Sequence, residues 1–228
     1  MLIIADKKIP EKAKSNLRKY GELVLLETKG ITEESISGHP DIFFCRTPGT
    51  LVIAPNLPET VKKILSEKNI AFTEGSSPVE VKYPFSASYN AVVTENFFIH
   101  HTGITDTIVT DNCIHLSKIH VLQGYTRCNL LRLDEGHFIT SDKGIYKTLT
   151  EKGLFALYVS PSDIILPGHD YGFFGGACGI FENTFFVIGN LSKYCDGEKV
   201  KSFVEKFHYD IIELYDGPLF DGGSVLFL

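Results

Sequence analysis

The chain has 228 residues, 43% of them apolar and 22% charged, which is enough to bury a sizeable core in one large domain or two small ones. Twenty-two basic against 28 acidic side chains give a formal charge of −6 with no Lys/Arg block, which argues against nucleic acid as a partner. No apolar run is long enough to span a bilayer and MLIIADKKIP lacks the basic opening of a secretory signal, so a cytoplasmic protein with no membrane partner is expected. The five cysteines (45, 113, 128, 178, 195) form no C-x-x-C pair and read as free thiols in a reducing compartment.

In chain order, MLIIAD (1–6) reads as a strand, PEKAKSNLRKYG (10–21) as a helix and ELVLLE (22–27) as a second strand. IFFCR (42–46) and LVIAP (51–55) are predicted strands joined across Thr47-Pro48-Gly49. PETVKKILSEKN (58–69) follows, with Val61, Ile64 and Leu65 at helical spacing and Pro58 suited to a helix start. A looser version of the same order runs from Asn90 to Gly124, with Glu95-Asn96 at its turn. NLLRL (129–133) and HFITS (137–141) flank Asp134-Glu135-Gly136, a good hairpin turn because glycine tolerates positive φ. IYKTLTEKG (145–153) is a helix stopped by Gly153, and LFALYV (154–159) is a buried strand. Further on, Glu182-Asn183 turns between two strands of CGIFENTFFVIG. EKVKSFVEKF (198–207) presents Val200, Phe203, Val204 and Phe207 on one helical face, and DIIELY (210–215) follows.

Strand, turn, strand, helix, strand therefore recurs four times within the chain. The two termini supply a fifth copy: SVLFL (224–228) reads as a first strand, MLIIAD as a second and ELVLLE as a third. The expected architecture is an α/β chain forming a single domain over 1–228, its fifth unit made of 221–228 with 1–30. Terminal strands that pair and close a ring would remove exposed sheet edges.

Five such units resemble the pentein fold of the guanidino-group modifying enzymes. The residues carrying the resemblance are SYNAVV (88–93), QGYTRCNL (123–130), TSDKGI (140–145), LPGHDYGFFGGACG (166–179) and DGGSVLFL (221–228). The whole sequence is similar to a small bacterial branch of that group. The resemblance implies a closed five-unit, pseudo-fivefold propeller with its site on the axis, reached by the lead-in to each first strand. Those lead-ins are GHPD (38–41), YPFSASYN (83–90), QGYTRCN (123–129), PGHDYGFFGGAC (167–178) and GPLFDGGS (217–224).

Guanidino hydrolysis in such enzymes uses a thiolate nucleophile, a histidine to move protons and carboxylates to hold the planar cation. The usual cysteine after the C-terminal Gly-Gly segment is missing; Ser224 is the nearest polar group, and a hydroxyl with no adjacent base is a poor nucleophile. Cys128 and Cys178, which begin two first strands, are the remaining thiol candidates, against a role as buried structural thiols. His169 and Asp170 are the candidate acid–base pair. Asp41 and Asp221 are candidate paired carboxylates, with Asn90, Tyr125, Tyr171 and Ser224 as further candidate substrate-binding residues. His100-His101 with Asp106 and Asp111 is set aside as a metal site because adjacent strand residues face opposite ways. No G-x-G-x-x-G follows a strand, so no dinucleotide and no other cofactor or metal is expected. The expected partner is a small guanidino, amidino or amino-acid-like compound, either transformed or, with the nucleophile lost, only bound; a protein-binding module is the other form of the non-catalytic reading.

Overall fold

A computed structural model describes residues 1–228. Five three-stranded sheets share one order, in which the middle strand pairs antiparallel with the strand before it and parallel with the strand after the helix. The units are built as the hydrophobic pattern predicts. Leu51–Ile53 pairs with Phe44–Arg46 and, across helix Glu59–Glu67, with Phe72–Glu74. Phe97–His100 lies between Val92–Val93 and Ser117–His120, His137–Thr140 between Leu130–Arg132 and Phe155–Tyr158, and Thr184–Val187 between Cys178–Phe181 and Asp210–Glu213.

The termini form the fifth set. Leu226–Phe227 pairs antiparallel with Leu2–Asp6, placing Ile3 opposite Phe227, and Leu2–Asp6 pairs parallel with Glu22–Leu26. Reciprocal backbone bonds of 2.9 Å between Leu2 and Leu228 fasten the last residue. Phe227 is buried against Phe186 and Phe181, with ring centroids 4.7 and 5.6 Å away, so the pairing is held by packing across units as well as by the ladder.

Each helix covers its own sheet through an apolar stripe. Glu59–Glu67 buries Val61 and Leu65, Lys143–Glu151 buries Ile145 and Leu149, and Gly197–Lys206 buries Val200 and Val204. Asp142 caps the second of these by accepting from the Ile145 N–H, so that helix starts two residues earlier than IYKTLTEKG suggests. The strand expected over 42–46 begins only at Phe44, because Pro40–Phe43 forms a single helical turn with proline at its first position. Similar turns, Thr126–Asn129 and Gly175–Ala177, precede Leu130–Arg132 and Cys178–Phe181. A short parallel pair, Ile164–Ile165 with Leu219–Phe220, lies outside the repeat.

The first strands of all five units line a common cavity of about 640 Å³, with Arg46, Val93, Arg132, Ile180 and Leu226 on its wall. The Arg46 guanidinium donates to the Phe227 carbonyl at 2.8 Å, bridging two units along it. No helix is long and apolar enough to cross a membrane.

Candidate functional site at the cavity floor

The helical turns before the first strands aim polar side chains at one buried point. Asp41, on the turn Pro40–Phe43, and Ser224, just before the last strand, both line the cavity floor. The Ser224 hydroxyl and the Cys128 thiol each donate to Asp41 Oδ2 at 3.0 Å. Asn90 ties the group together: its Nδ2 donates to the Asp41 carbonyl at 2.9 Å, and its Oδ1 accepts from the backbone N–H groups of Arg127 and Cys128 at 2.7 and 3.1 Å. Asp41 Oδ1 is buried and has no hydrogen-bond partner.

Behind Asp41 lie two more carboxylates and an imidazole. His39 Nδ1 is 3.9 Å from Asp221 Oδ1, and His39 Nε2 is 3.7 Å from Asp6 Oδ2. Asp221 is held by the backbone N–H groups of Phe173 and Gly223, at 2.8 and 3.0 Å. The ammonium of the partly exposed Lys8 is 3.7 Å from Asp6 Oδ2. Glycine makes the crowding feasible: a Cβ on Gly223, which has φ +64°, would collide with His39, and one on Gly176 would collide with the Asp221 carboxylate. The Gly-Gly turn before the final strand is therefore required by the imidazole beside it.

Burial dominates the electrostatics. It raises the Asp221 carboxyl to about 7, with repulsion from Asp41 adding to it, and raises Asp6 to about 6 against the pull of Lys8. It raises Asp41 too, opposed by the bonds from Cys128, Ser224 and Asn90 and by the nearby Arg127 guanidinium. His39 is pushed down to about 3, first by burial and then by the neighbouring Lys8 and His169 side chains. The imidazole has lost its proton well before Asp6 and Asp221 ionise, so near pH 5 the group is neutral imidazole beside protonated carboxyls. The Cys128 thiol is pushed far up by burial and by Asp41 and Asp221, the opposite of what activates a nucleophile.

Of the residues expected from the sequence, the structure brings together Asp41, Asn90, Cys128, Asp221 and Ser224. The others lie apart from the Asp41–Cys128–Ser224 contact. His169 and Asp170 are exposed, with His169 Nε2 3.0 Å from Ser35 Oγ, because the glycine-rich loop carrying them runs over the surface before its chain dives at Phe174. Tyr171 is 49% exposed. Tyr125 meets the Ser86 hydroxyl at 2.6 Å, and Cys178 is buried among Phe174, Phe185 and other core side chains, its thiol also pushed far up by burial. His39 and Asp6 were missed. His39 stands two residues before Asp41 in the same GHPD lead-in, and Asp6 ends the strand Leu2–Asp6. The set-aside His100 is a buried side chain whose two nitrogens meet Thr105 Oγ1 and the Gly124 carbonyl, at 2.7 and 2.8 Å.

Residues 4–226 match a sequence family described as a family of unknown function, DUF6873. No curated protein matches the sequence. Among solved structures the chain is similar to DDAH from Pseudomonas aeruginosa, a Cys-to-Ser mutant complexed with citrulline, at 10% identity and a TM-score of 0.54 over 93% of this chain and 91% of that one. It is similar to agmatine deiminase of C. jejuni at 12% identity and a TM-score of 0.54, over 93% and 87% of the two chains. SxtG, an amidinotransferase from Microseira wollei, gives 10% identity and a TM-score of 0.52 over 93% and 87%. At such identities the likeness is one of fold: the chain has the α/β pentein fold.

Proposed function

The chain belongs to the DUF6873 family of unknown function, and we propose that it binds a small guanidino, amidino or amino-acid-like compound at the floor of its axial cavity without Cys-based hydrolysis. In this reading residues 1–228 are one domain, with the five units closed into a ring about that cavity. The antiparallel pairing of Leu226–Phe227 with Leu2–Asp6 and the cavity lined from all five units support it. So does the fold shared with proteins whose names include an agmatine deiminase and an amidinotransferase.

The observation that carries the reading is the Asp41 carboxylate on the cavity floor, with Oδ2 fixed by a thiol and a hydroxyl and Oδ1 left without a partner. A buried carboxylate oxygen lacking a donor is costly, and a planar cation presenting N–H groups removes that cost. Arg46 and Arg132 on the same cavity would receive a carboxylate at the other end of the ligand, as in an amino acid. Binding rather than turnover is favoured because neither Cys128 nor Cys178 is held as a thiolate and the Ser224 hydroxyl is bonded to the Asp41 carboxyl rather than to a histidine.

Calorimetry with arginine, agmatine and citrulline tests this in the presence of chelator. The cationic compounds should bind and neutral citrulline should bind more weakly. Asp41→Asn should weaken cation binding by roughly 10–100-fold, the worth of a charge-assisted hydrogen bond. Binding should also tighten as pH rises, because the cation favours an ionised Asp41. Release of citrulline, urea or ammonia would refute the binding-only reading, and equal affinity of wild type and Asp41→Asn would refute the site.

A further inference from the structure

The cluster beneath the cavity floor has a property that a guanidinium does not explain. His39, Asp41 and Cys128 are buried, and one donor atom from each lies within 4.8 Å of the other two. Nitrogen, oxygen and sulfur donors thus converge from two lead-ins: His39 and Asp41 come from the start of the turn Pro40–Phe43, and Cys128 from the turn Thr126–Asn129. Two of these residues present atoms with no hydrogen-bond partner, His39 Nδ1 and Asp41 Oδ1, on side chains that are 1% and 5% exposed. A packed core that only needed polar satisfaction would not leave a ring nitrogen and a carboxylate oxygen of one cluster both unmet. Flanking groups complete the arrangement. Asp221 Oδ1 lies 3.9 Å from His39 Nδ1, and Asp6 Oδ2, also unpartnered, faces the opposite ring nitrogen at 3.7 Å. A carboxylate behind a histidine is the support that fixes the tautomer and orientation of a metal-ligating imidazole.

We propose that His39, Asp41 and Cys128 form a binding site for a divalent transition-metal ion of the Zn(II) type. Asp221 is the adjacent carboxylate available to complete four-coordination, and Asp6 is a positioning residue acting through His39. The donor set selects the ion: a thiolate and an imidazole are ligands for Zn(II) and its neighbours, whereas Mg(II) and Ca(II) require oxygen ligands. On binding, the Cys128 S–H bond breaks and its proton leaves to solvent as the S–metal bond forms, with no change of oxidation state. Ser224, which shares Asp41 Oδ2 with Cys128, keeps its hydroxyl and its contact.

The metal shares Asp41 with the ligand of the proposed function, so the two cations would compete for that carboxylate. Metal binding is therefore measured without guanidino compounds and ligand binding in chelator, so that either reading can fail alone. The full-length chain, stripped with chelator, is titrated with Co(II) at neutral pH. One equivalent should produce a thiolate-to-metal charge-transfer band that an equivalent of Zn(II) abolishes. Cys128→Ser should lose the band, Cys195→Ser should keep it, and Asp6→Asn should weaken binding by roughly 10–100-fold while leaving the band shape unchanged. Absence of the band in the wild type, or its survival in Cys128→Ser, overturns the proposal. Should Cys128→Ser fail to fold, X-ray absorption of the wild type carrying one Zn(II) decides the matter: a coordination sphere with one sulfur supports the site, and one of nitrogen and oxygen alone overturns it.

Discussion

The buried acids and imidazole make opposite demands on pH, and the balance can be measured. Asp221 at about 7 and Asp6 at about 6 hold their protons more tightly when folded than the ordinary carboxyl at 3.8 does. Each therefore contributes stability that is present in full below pH 3.8 and lost as pH rises through the folded value. His39, lowered from 6.5 to about 3, behaves in reverse: its penalty is absent above 6.5 and grows as pH falls toward 3. At about 1.4 kcal/mol per pH unit, raising pH from 5 to 8 removes about 3 kcal/mol through Asp221 and about 1 kcal/mol through Asp6, and restores about 2 kcal/mol through His39. The metal-free wild type should thus lose about 2 kcal/mol over this interval from these three groups, and His39→Gln, which lacks the opposing group, should lose about 4 kcal/mol. Asp41, also raised, adds to the loss in both proteins. The assay is urea unfolding in chelator at half-unit pH steps, with the difference between the two proteins cancelling the titration of surface groups. A His39→Gln curve parallel to the wild type would refute the neutral buried imidazole, and a wild type that gains stability across the interval would refute the raised carboxyls.

Three further outcomes test the packing. Phe227→Ala removes a ring buried against Phe181 and Phe186 on the final strand and should cost about 3–5 kcal/mol in urea unfolding, whereas a terminal strand that merely decorates the sheet would cost under about 1 kcal/mol. Gly223→Ala combines positive φ with a collision against His39 and should lower the melting midpoint far more than Gly30→Ala, whose φ is +77° but whose Cβ would meet nothing; equal effects would remove the steric argument. Alkylation of the native protein should modify Cys195, the exposed thiol, first, and reach Cys128 only on unfolding; faster labelling of Cys128 would mean that it is a reactive thiolate.

The scaffold was readable from the sequence because each unit repeats two strong local signals. The short apolar strand runs and the apolar helical stripe mark the elements that must be buried, and turns such as Asp134-Glu135-Gly136 mark the reversals. The pairing of the two ends followed from counting units, since SVLFL had no partner within its own neighbourhood and MLIIAD lacked a preceding strand. What local pattern did not reveal was the way the chain enters each first strand. Ile42 and Phe43 look like strand residues by hydrophobicity, yet the turn starting at Pro40 takes them, and it is this turn that swings Asp41 under the cavity.

The candidate site was legible only where the repeat pointed at it. Lead-ins were expected to face the axis, and that rule finds Asp41, Asn90, Cys128, Asp221 and Ser224. At His169-Asp170 the same rule points to exposed residues, because that glycine-rich lead-in is long enough to run over the surface. It stopped short at His39, which belongs to the GHPD lead-in but sits next to a proline, and at Asp6, which looks like an ordinary polar end to a strand. A carboxylate whose neighbour in space is contributed by a residue 33 positions away carries no local mark of its role. The glycines carry that mark indirectly: Gly223 is required because a histidine from another unit occupies the space its side chain would take. In a fold assembled from repeats, then, lead-ins such as DGGS and GHPD are where side chains from different units compete for the same volume.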